Sequence, residues 1–433
     1  MRWIALSFLP ILAAIPAGQT IAASMWFWLV LLAALAMAWM FQSSSRSSDS
    51  SSEHEPAQAP RGPRHLPDQE QPEVIKEIMD VQDAVEQQGV EVFRGQLKEP
   101  AEEAYQRLKE TAGDATVPMV QEDPQFGSAV VLMPKILERR ALERREHTWI
   151  NWVLFVATII TTTLAGALQQ GVDITAEPRR IVVGLPYAIG LLSILGIHEL
   201  GHYFTARYHK IRVTLPYFIP VPFALGTFGA FIKMKSPTED RQSLFDVAIA
   251  GPLAGLVVAI PALLIGLHFS RVIAVPDDET LHGISAGSSI LFALLTKLAL
   301  GSQLHHGSFV ELSPLAFAGW LGLFITALNL LPVGQLDGGH IARSMFGTRI
   351  GELVSTVTLT SLFILGFLVW PGLLTWAIIV FFIAGRGTPP LNDVTQIPPW
   401  RTFLGVIAFV ILLAILIPLP HAFYGAIGFV PAV

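Results

Sequence analysis

Long apolar runs recur along this chain and are interrupted once by a broad polar block. Two runs open it, roughly residues 3–17 and 22–41. The first is short enough for a signal-peptide core, but a second follows at once with no convincing cleavage site between them, so the pair reads as a membrane hairpin. Further apolar runs follow at about 150–168, 181–208, 244–269, 315–333, 353–370, 371–384 and 403–419. Together they predict an α-helical polytopic membrane protein of about nine spans. The run "SSILFALLTKLALG" carries Lys297 and is short, so it reads as an interfacial or re-entrant helix.

The polar block divides in two. Residues 43–72, rich in Ser, Pro and charge, cannot bury enough apolar surface to fold and read as a disordered linker. Residues 73–146 alternate differently. "VEVFRGQL" and "GSAVVLMP" predict short strands, and "EPAEEAYQRLKETAG" predicts an amphipathic helix closed by Gly113. A small α+β soluble domain is expected there. The basic cluster "KILERRALERREH" then abuts the next span, which marks that end as cytoplasmic and puts the soluble domain in the cytoplasm. "ARYHKIR" and "GGHIARSMFGTRIG" fall on the same side. The expected division is therefore 1–42 hairpin, 43–72 linker, 73–146 soluble domain, 147–345 membrane core and 346–433 C-terminal transmembrane helices.

One apolar stretch is not helical in pattern. "VTLPYFIPVPFALGTFGAFIKMK", residues 213–235, carries Pro216, Pro220, Pro222, Gly226 and Gly229, too many breakers for a straight helix. It predicts extended chain dipping toward the membrane from the cytoplasmic face, allowed at depth only against protein or a water-filled cavity.

Composition agrees with the pattern. Of 433 residues, 52% are apolar and 14% charged, and the formal net charge is −6. More than half of the charged residues lie between Arg46 and Glu146. Nothing suggests a nucleic-acid partner. With no cysteine in the chain, a metal can be held only by His, Asp or Glu.

The chemistry concentrates in "LLSILGIHELGHYFTARYHK". Two histidines and a glutamate inside an apolar span are costly unless something binds them. His198 and His202 are four apart, so on a helix they share a face and can chelate one ion; Glu199 is rotated about 100° from His198, near a metal-bound water without being a ligand. The spacing is that of H-E-x-x-H zinc hydrolases. A third ligand is expected from another span. Asp337 in "TALNLLPVGQLDGGH" is the best candidate, at the cytoplasmic end of its span, where Pro332 and several glycines break the helix; it reads equally as a turn cap. His305 and His306 fall on the opposite side of the membrane in this topology, and Glu239 and Asp240 read as a solvated loop.

"HELGH" with "NLLPVGQLDGG" resembles the paired motifs of the site-2 protease family, the intramembrane zinc metalloproteases, and "FDVAIAGPLAGL" resembles the small-residue helix between them. The similarity covers about residues 147–345. It implies that His198, His202 and Asp337 hold Zn2+, that Glu199 activates water, and that Asn329 helps position the substrate backbone. It also implies that the segment bearing Gly226 and Gly229 binds an unwound substrate by strand addition. The expected activity is zinc-dependent hydrolysis of peptide bonds within or near transmembrane segments of substrate proteins. The alternative is a non-proteolytic zinc-binding membrane chaperone or transporter. Expected partners are membrane-spanning substrates, the lipid bilayer and a regulator acting through the soluble domain. The expected location is a bacterial inner membrane, with the site toward the cytoplasm.

Overall fold

The structure, a computed structural model, describes residues 64–134 except 88, 114 and 115; 147–274; 289–304 except 302; 308–368; and 371–417 except 386 and 388. The expected N-terminal hairpin, the linker up to residue 63, the basic cluster 135–146 and His305 and His306 lie outside the described residues.

The polar block folds as an antiparallel sheet with helices. Its elements are β1 (Arg64–His65), α1 (Glu73–Ile78), β2 (Met79–Gln87), β3 (Val90–Leu97), α2 (Ala101–Ala112), β4 (Thr116–Asp123) and β5 (Gly127–Pro134), with sheet order β1-β2-β3-β5-β4. Arg64 and His65 pair with Glu86 and Val85, so the sheet begins inside the stretch that composition assigns to the linker. Helix α2 buries Ala104, Tyr105 and Leu108, a one-sided stripe with the helical period, and Gly113 at φ 55° ends it. That stripe meets Ile75, Ile78, Phe93, Val120 and Val130 in one core.

The apolar part is helical: α3 (Thr148–Gln169), α4 (Leu185–Tyr208), α5 (Arg241–His268), α6 (Ile290–Leu300), α7 (Pro314–Leu330), α8 (Asp337–Leu368), α9 (Pro371–Ala384) and α10 (Pro399–Leu416). Among the described residues, five helices are long and apolar enough to cross a membrane: α3, α4 with the 3-10 turn before it, α5, α8 and α10. Helices α6 and α7 are apolar but shorter. Helix α8 breaks at Gly347, whose φ of 83° is not helical.

Helix starts follow local chemistry. Asp240 and Ser243 form a reciprocal capping box ahead of α5, and Ser313 caps α7 with Pro314 at the first helical position. Lipid-facing helices gain little from hydrophobicity between themselves, so close approach of small residues must hold them together. Gly201 of α4 lies against the Ala250 carbonyl and Ala254 of α5, and Gly319 of α7 lies against the Leu263 backbone, also of α5. Helix α5 is thereby clamped between α4 and α7.

The breaker-rich segment forms a hairpin, β6 (Tyr217–Pro220) and β7 (Thr227–Phe231), extended by a bridge between Val213 and Met234. Its register pairs Tyr217 with Phe231 and Phe218 with Ala230. Extended chain was expected here; the hairpin pairing was not.

A second loop joins the two parts of the molecule. Val120 N–H of β4 donates to the Leu391 carbonyl and the Asp393 N–H donates to Val120, while Leu391 and Asn392 donate to Thr238 and Glu239. The 391–393 strip therefore lies between the five-stranded sheet and the start of α5. Arg241 (4% exposed side chain) donates to Asp393 (3%) at 3.0 Å and to Glu122 of β4 at 3.1 Å. Asn392 donates to Glu102 of α2 at 3.0 Å, and Lys109 pairs with Glu239 at 2.8 Å. Glu239 is solvent-exposed, as expected, and pairs with Lys109 at the surface, while Asp240 caps α5.

Candidate metal centre

Helix α4 carries His198, Glu199 and His202 on its inward side, all buried. The two imidazoles meet edge to face, with their Nε2 atoms 3.1 Å apart. The four-residue spacing accomplishes this alone, because neighbours at i and i+4 stand one above the other on a helix.

Asp337 comes from 135 residues further along, at the first position of α8. The 331–336 turn aims it. Gly334 has φ 54°, and a Cβ there would overlap the Ala384 and Gly385 carbonyls, so only glycine lets the turn sit this close to the end of α9. Gln335 N–H donates to the Ala384 carbonyl at 2.6 Å, pinning the turn. The Asp337 carboxylate Oδ2 then lies 3.4 Å from Nε2 of both His198 and His202. Among the described residues these three form a group able to hold a metal ion.

The three atoms form a triangle with sides of 3.1, 3.4 and 3.4 Å. Tetrahedral zinc with bonds of 2.0–2.1 Å has ligand–ligand edges of about 3.3 Å, so the donor set fits zinc in both chemistry and spacing. Ring orientation agrees. The Val247 carbonyl of α5 lies 2.7 Å from His202 Nδ1, so this nitrogen takes the proton and Nε2 is left with its lone pair toward the cluster.

Helix α5 forms a wall against the rings. A Cβ on Gly251 would overlap the His202 imidazole, and one on Gly255 would lie 3.2 Å from His198 Nδ1. The small-residue stretch "AIAGPLAGL" therefore lets a helix backbone lie flat against both imidazoles.

Glu199 lies beside this cluster and receives a hydrogen bond from the backbone N–H of Ile232, just past β7. This ties the hairpin to the cluster. Asn329, near the end of α7, places its side-chain amide nitrogen 3.2 Å from His198 Nε2. Gly226 and Gly229 sit away from these side chains, in the hairpin itself. Gly226 (φ 79°) is in the turn against Thr161 and Thr162 of α3, and Gly229 (φ 104°) lies in β7 with open space where a Cβ would stand.

Val247, Gly251 and Ile232 escaped the sequence reading as site residues. Val247 and Ile232 act through backbone and Gly251 through its lack of a Cβ, so none of the three contributes a side chain to the site. His209, expected to be solvated, is half-buried, with Nε2 3.0 Å from Asp246, itself held by Arg401. Glu352 is exposed on α8.

Residues 186–370 match the model of Peptidase family M50. The chain is 37% identical over 365 residues to a probable zinc metalloprotease EGY1, chloroplastic, of Arabidopsis thaliana, covering 76% of this chain and 66% of that one. It is 32% identical over 371 residues to the rice protein of the same name from Oryza sativa subsp. japonica, covering 76% and 62%. A probable zinc metalloprotease EGY2, chloroplastic, of Arabidopsis thaliana is 29% identical over 358 residues, with 78% and 62% covered. The chain thus spans just under two thirds of the length of these relatives.

Proposed function

We propose that the chain belongs to peptidase family M50, the site-2 protease family, and that it is an intramembrane zinc metalloendopeptidase cutting substrate proteins within or near their transmembrane segments. The observation that carries this reading is the convergence of His198, His202 and Asp337 from two apolar helices to within 4.8 Å, with Glu199 beside them. Three polar ligating groups held together inside membrane helices are costly without an ion to bind, and the relatives named above are zinc metalloproteases by name.

Bound zinc would supply Lewis-acid polarisation of the scissile carbonyl and acidify water. His198 Nε2, His202 Nε2 and an Asp337 carboxylate oxygen would hold it. The Glu199 carboxylate takes a proton from the attacking water and passes it to the departing amide nitrogen. Its hydrogen bond from Ile232 holds it in place for both transfers. Asn329, at hydrogen-bond distance from the cluster, orients the substrate carbonyl.

A peptide bond inside a helix is shielded by its own hydrogen bonds, so a substrate has to unwind first. Among the described residues strand β7 pairs with β6 alone, leaving its other edge free, and the chain just beyond it touches Glu199. A locally extended substrate adds to that edge by backbone pairing, in the segment that carries Gly226 and Gly229.

The protein is multi-pass. The basic segments near the ends of α4 and α8 favour a cytoplasmic or equivalent stromal face for the site. The relatives are chloroplastic by name, so a bacterial inner membrane draws no support from them. The soluble domain, 73–146 with the sheet extended to Arg64, is read as the site where a regulator or substrate tail docks, and 147–345 as the protease core.

Zinc content of the detergent-purified protein, measured beside cleavage of a single-span substrate, tests the proposal. Glu199→Gln is expected to keep its zinc and lose cleavage by on the order of 10²–10⁴-fold. Cleavage by that variant would remove the base from Glu199. A wild type that binds zinc yet cuts no substrate in a broad panel would favour the zinc-binding chaperone or transporter instead.

A further inference from the structure

Where α4 ends, the chain forms a cavity of about 270 Å³ lined by Arg207, Lys210, Ile211, Arg212, Val213 and Lys235. Four cations converge on it, and no carboxylate is among its lining residues. Among the described residues, Arg207, Lys210 and Arg212 make no ion pair; Arg207 contacts only the Tyr203 ring, 5.9 Å from its centroid. Around the start of α5, Glu239 pairs with Lys109, and Asp246 with Arg401 and His209.

The backbone is organised to keep these side chains together. Lys235 N–H donates to the Arg212 carbonyl at 2.8 Å, joining the two walls. Lys210 sits at φ 60°, a conformation unfavourable for a residue with a Cβ, and glycine would occupy it without strain. The floor is apolar, from Ile211 and Val213. On the last turn of α4, one step before the cavity, Phe204 (64%) and Tyr208 (82%) face outward, aromatic rings of the kind that settle at headgroup level.

We propose that this cavity binds the phosphate-type headgroup of an anionic membrane lipid. The cations supply charge-assisted hydrogen bonds to its oxygens, the apolar floor receives the first carbons of the glycerol, and Phe204 and Tyr208 mark the depth at which headgroups lie. The site is independent of the proteolytic reading and of zinc.

The test uses the full chain in nanodiscs of equimolar phosphatidylcholine and phosphatidylglycerol, with retained lipid counted by native mass spectrometry after release into detergent. Wild type retains phosphatidylglycerol in preference to phosphatidylcholine. Arg207→Gln with Arg212→Gln weakens this by roughly fivefold per cation, the usual strength of a basic residue at an anionic surface. Lys210→Gly weakens it by a similar single step while relieving the backbone, so the loss cannot be ascribed to misfolding. Lys76→Gln with Lys98→Gln, which removes the same charge from the soluble domain, leaves retention unchanged. Unchanged retention in the Arg207/Arg212 and Lys210 variants overturns the proposal. An equal loss in the Lys76/Lys98 control overturns it as well, because net charge alone would then explain binding. Displacement of the lipid by an equal concentration of inorganic phosphate reassigns the cavity to the free anion and overturns it too.

Discussion

Gly251 and His202 are packed so closely that the missing Cβ of one would occupy the imidazole of the other. Gly251→Ala is therefore expected to rotate His202 off its hydrogen bond to Val247 and to lower zinc affinity by about 10–100-fold, the range seen when groups supporting a metal ligand are disturbed. Gly255→Ala, whose Cβ would make a tight 3.2 Å contact with His198 Nδ1 and not an overlap, should cost less. Zinc titration against a competing chromophoric chelator ranks the two; the opposite order would mean that α5 does not set the ring positions.

Asn329 offers a contrast, because it reaches the cluster with a side chain that zinc does not need. Asn329→Ala should keep most bound zinc and slow cleavage by roughly 10²-fold, as when a donor to the reacting carbonyl is lost. Loss of zinc in parallel with activity would instead make Asn329 a support for His198.

The two hairpin glycines should differ. At Gly226 an added Cβ meets the Thr161 and Thr162 backbone, whereas at Gly229 it meets open space and only the positive φ opposes it. Gly226→Ala is expected to loosen β6–β7 from α3 and to abolish most cleavage with zinc retained. Gly229→Ala should leave a larger part. Rates on one single-span substrate compare them, and equal rates would detach the hairpin from substrate binding.

The ion pair between Arg241 and Asp393 fastens the 391–393 strip, itself hydrogen-bonded to β4, to the start of α5, with both partners nearly sealed from water. Arg241→Met leaves the Asp393 carboxylate charged without its ion-pair partner, holding only the Thr348 N–H at 3.3 Å, a change worth about 3–5 kcal/mol. Limited proteolysis between residues 134 and 147 should become much faster in this variant. The double variant with Asp393→Asn should recover part of the loss, since the unpaired charge is gone. No recovery would place the cost in packing.

The sequence made parts of this legible for physical reasons. His198, Glu199 and His202 stood out because polar groups in an apolar run have few reasons to be there. Asp337 was visible only as one of two readings, since a helix-breaking turn before an acid also describes an ordinary cap; the distances to both imidazoles came with the structure. Strands β3 and β5 and helix α2 carried enough periodicity to be anticipated. Strands β2 and β4 did not, because "MDVQDAVEQ" and "TVPMVQED" mix charge into the alternation. The Val247 and Ile232 contacts are made by backbone, to which sequence is blind. The Arg241–Asp393 pair spans 152 residues, a separation over which no local pattern carries information.

The 391–393 strip also bears on the order in which the molecule can be completed. Strand β4 finds its outer partner, and the soluble core finds Leu391 and Val394, in a stretch that leaves the ribosome long after the sheet itself. Asn392 and its partner Glu102 are 290 residues apart, on the order of 15–60 s of synthesis at ordinary elongation rates. For that interval the domain has an open sheet edge, and it is finished only after α9 has been made.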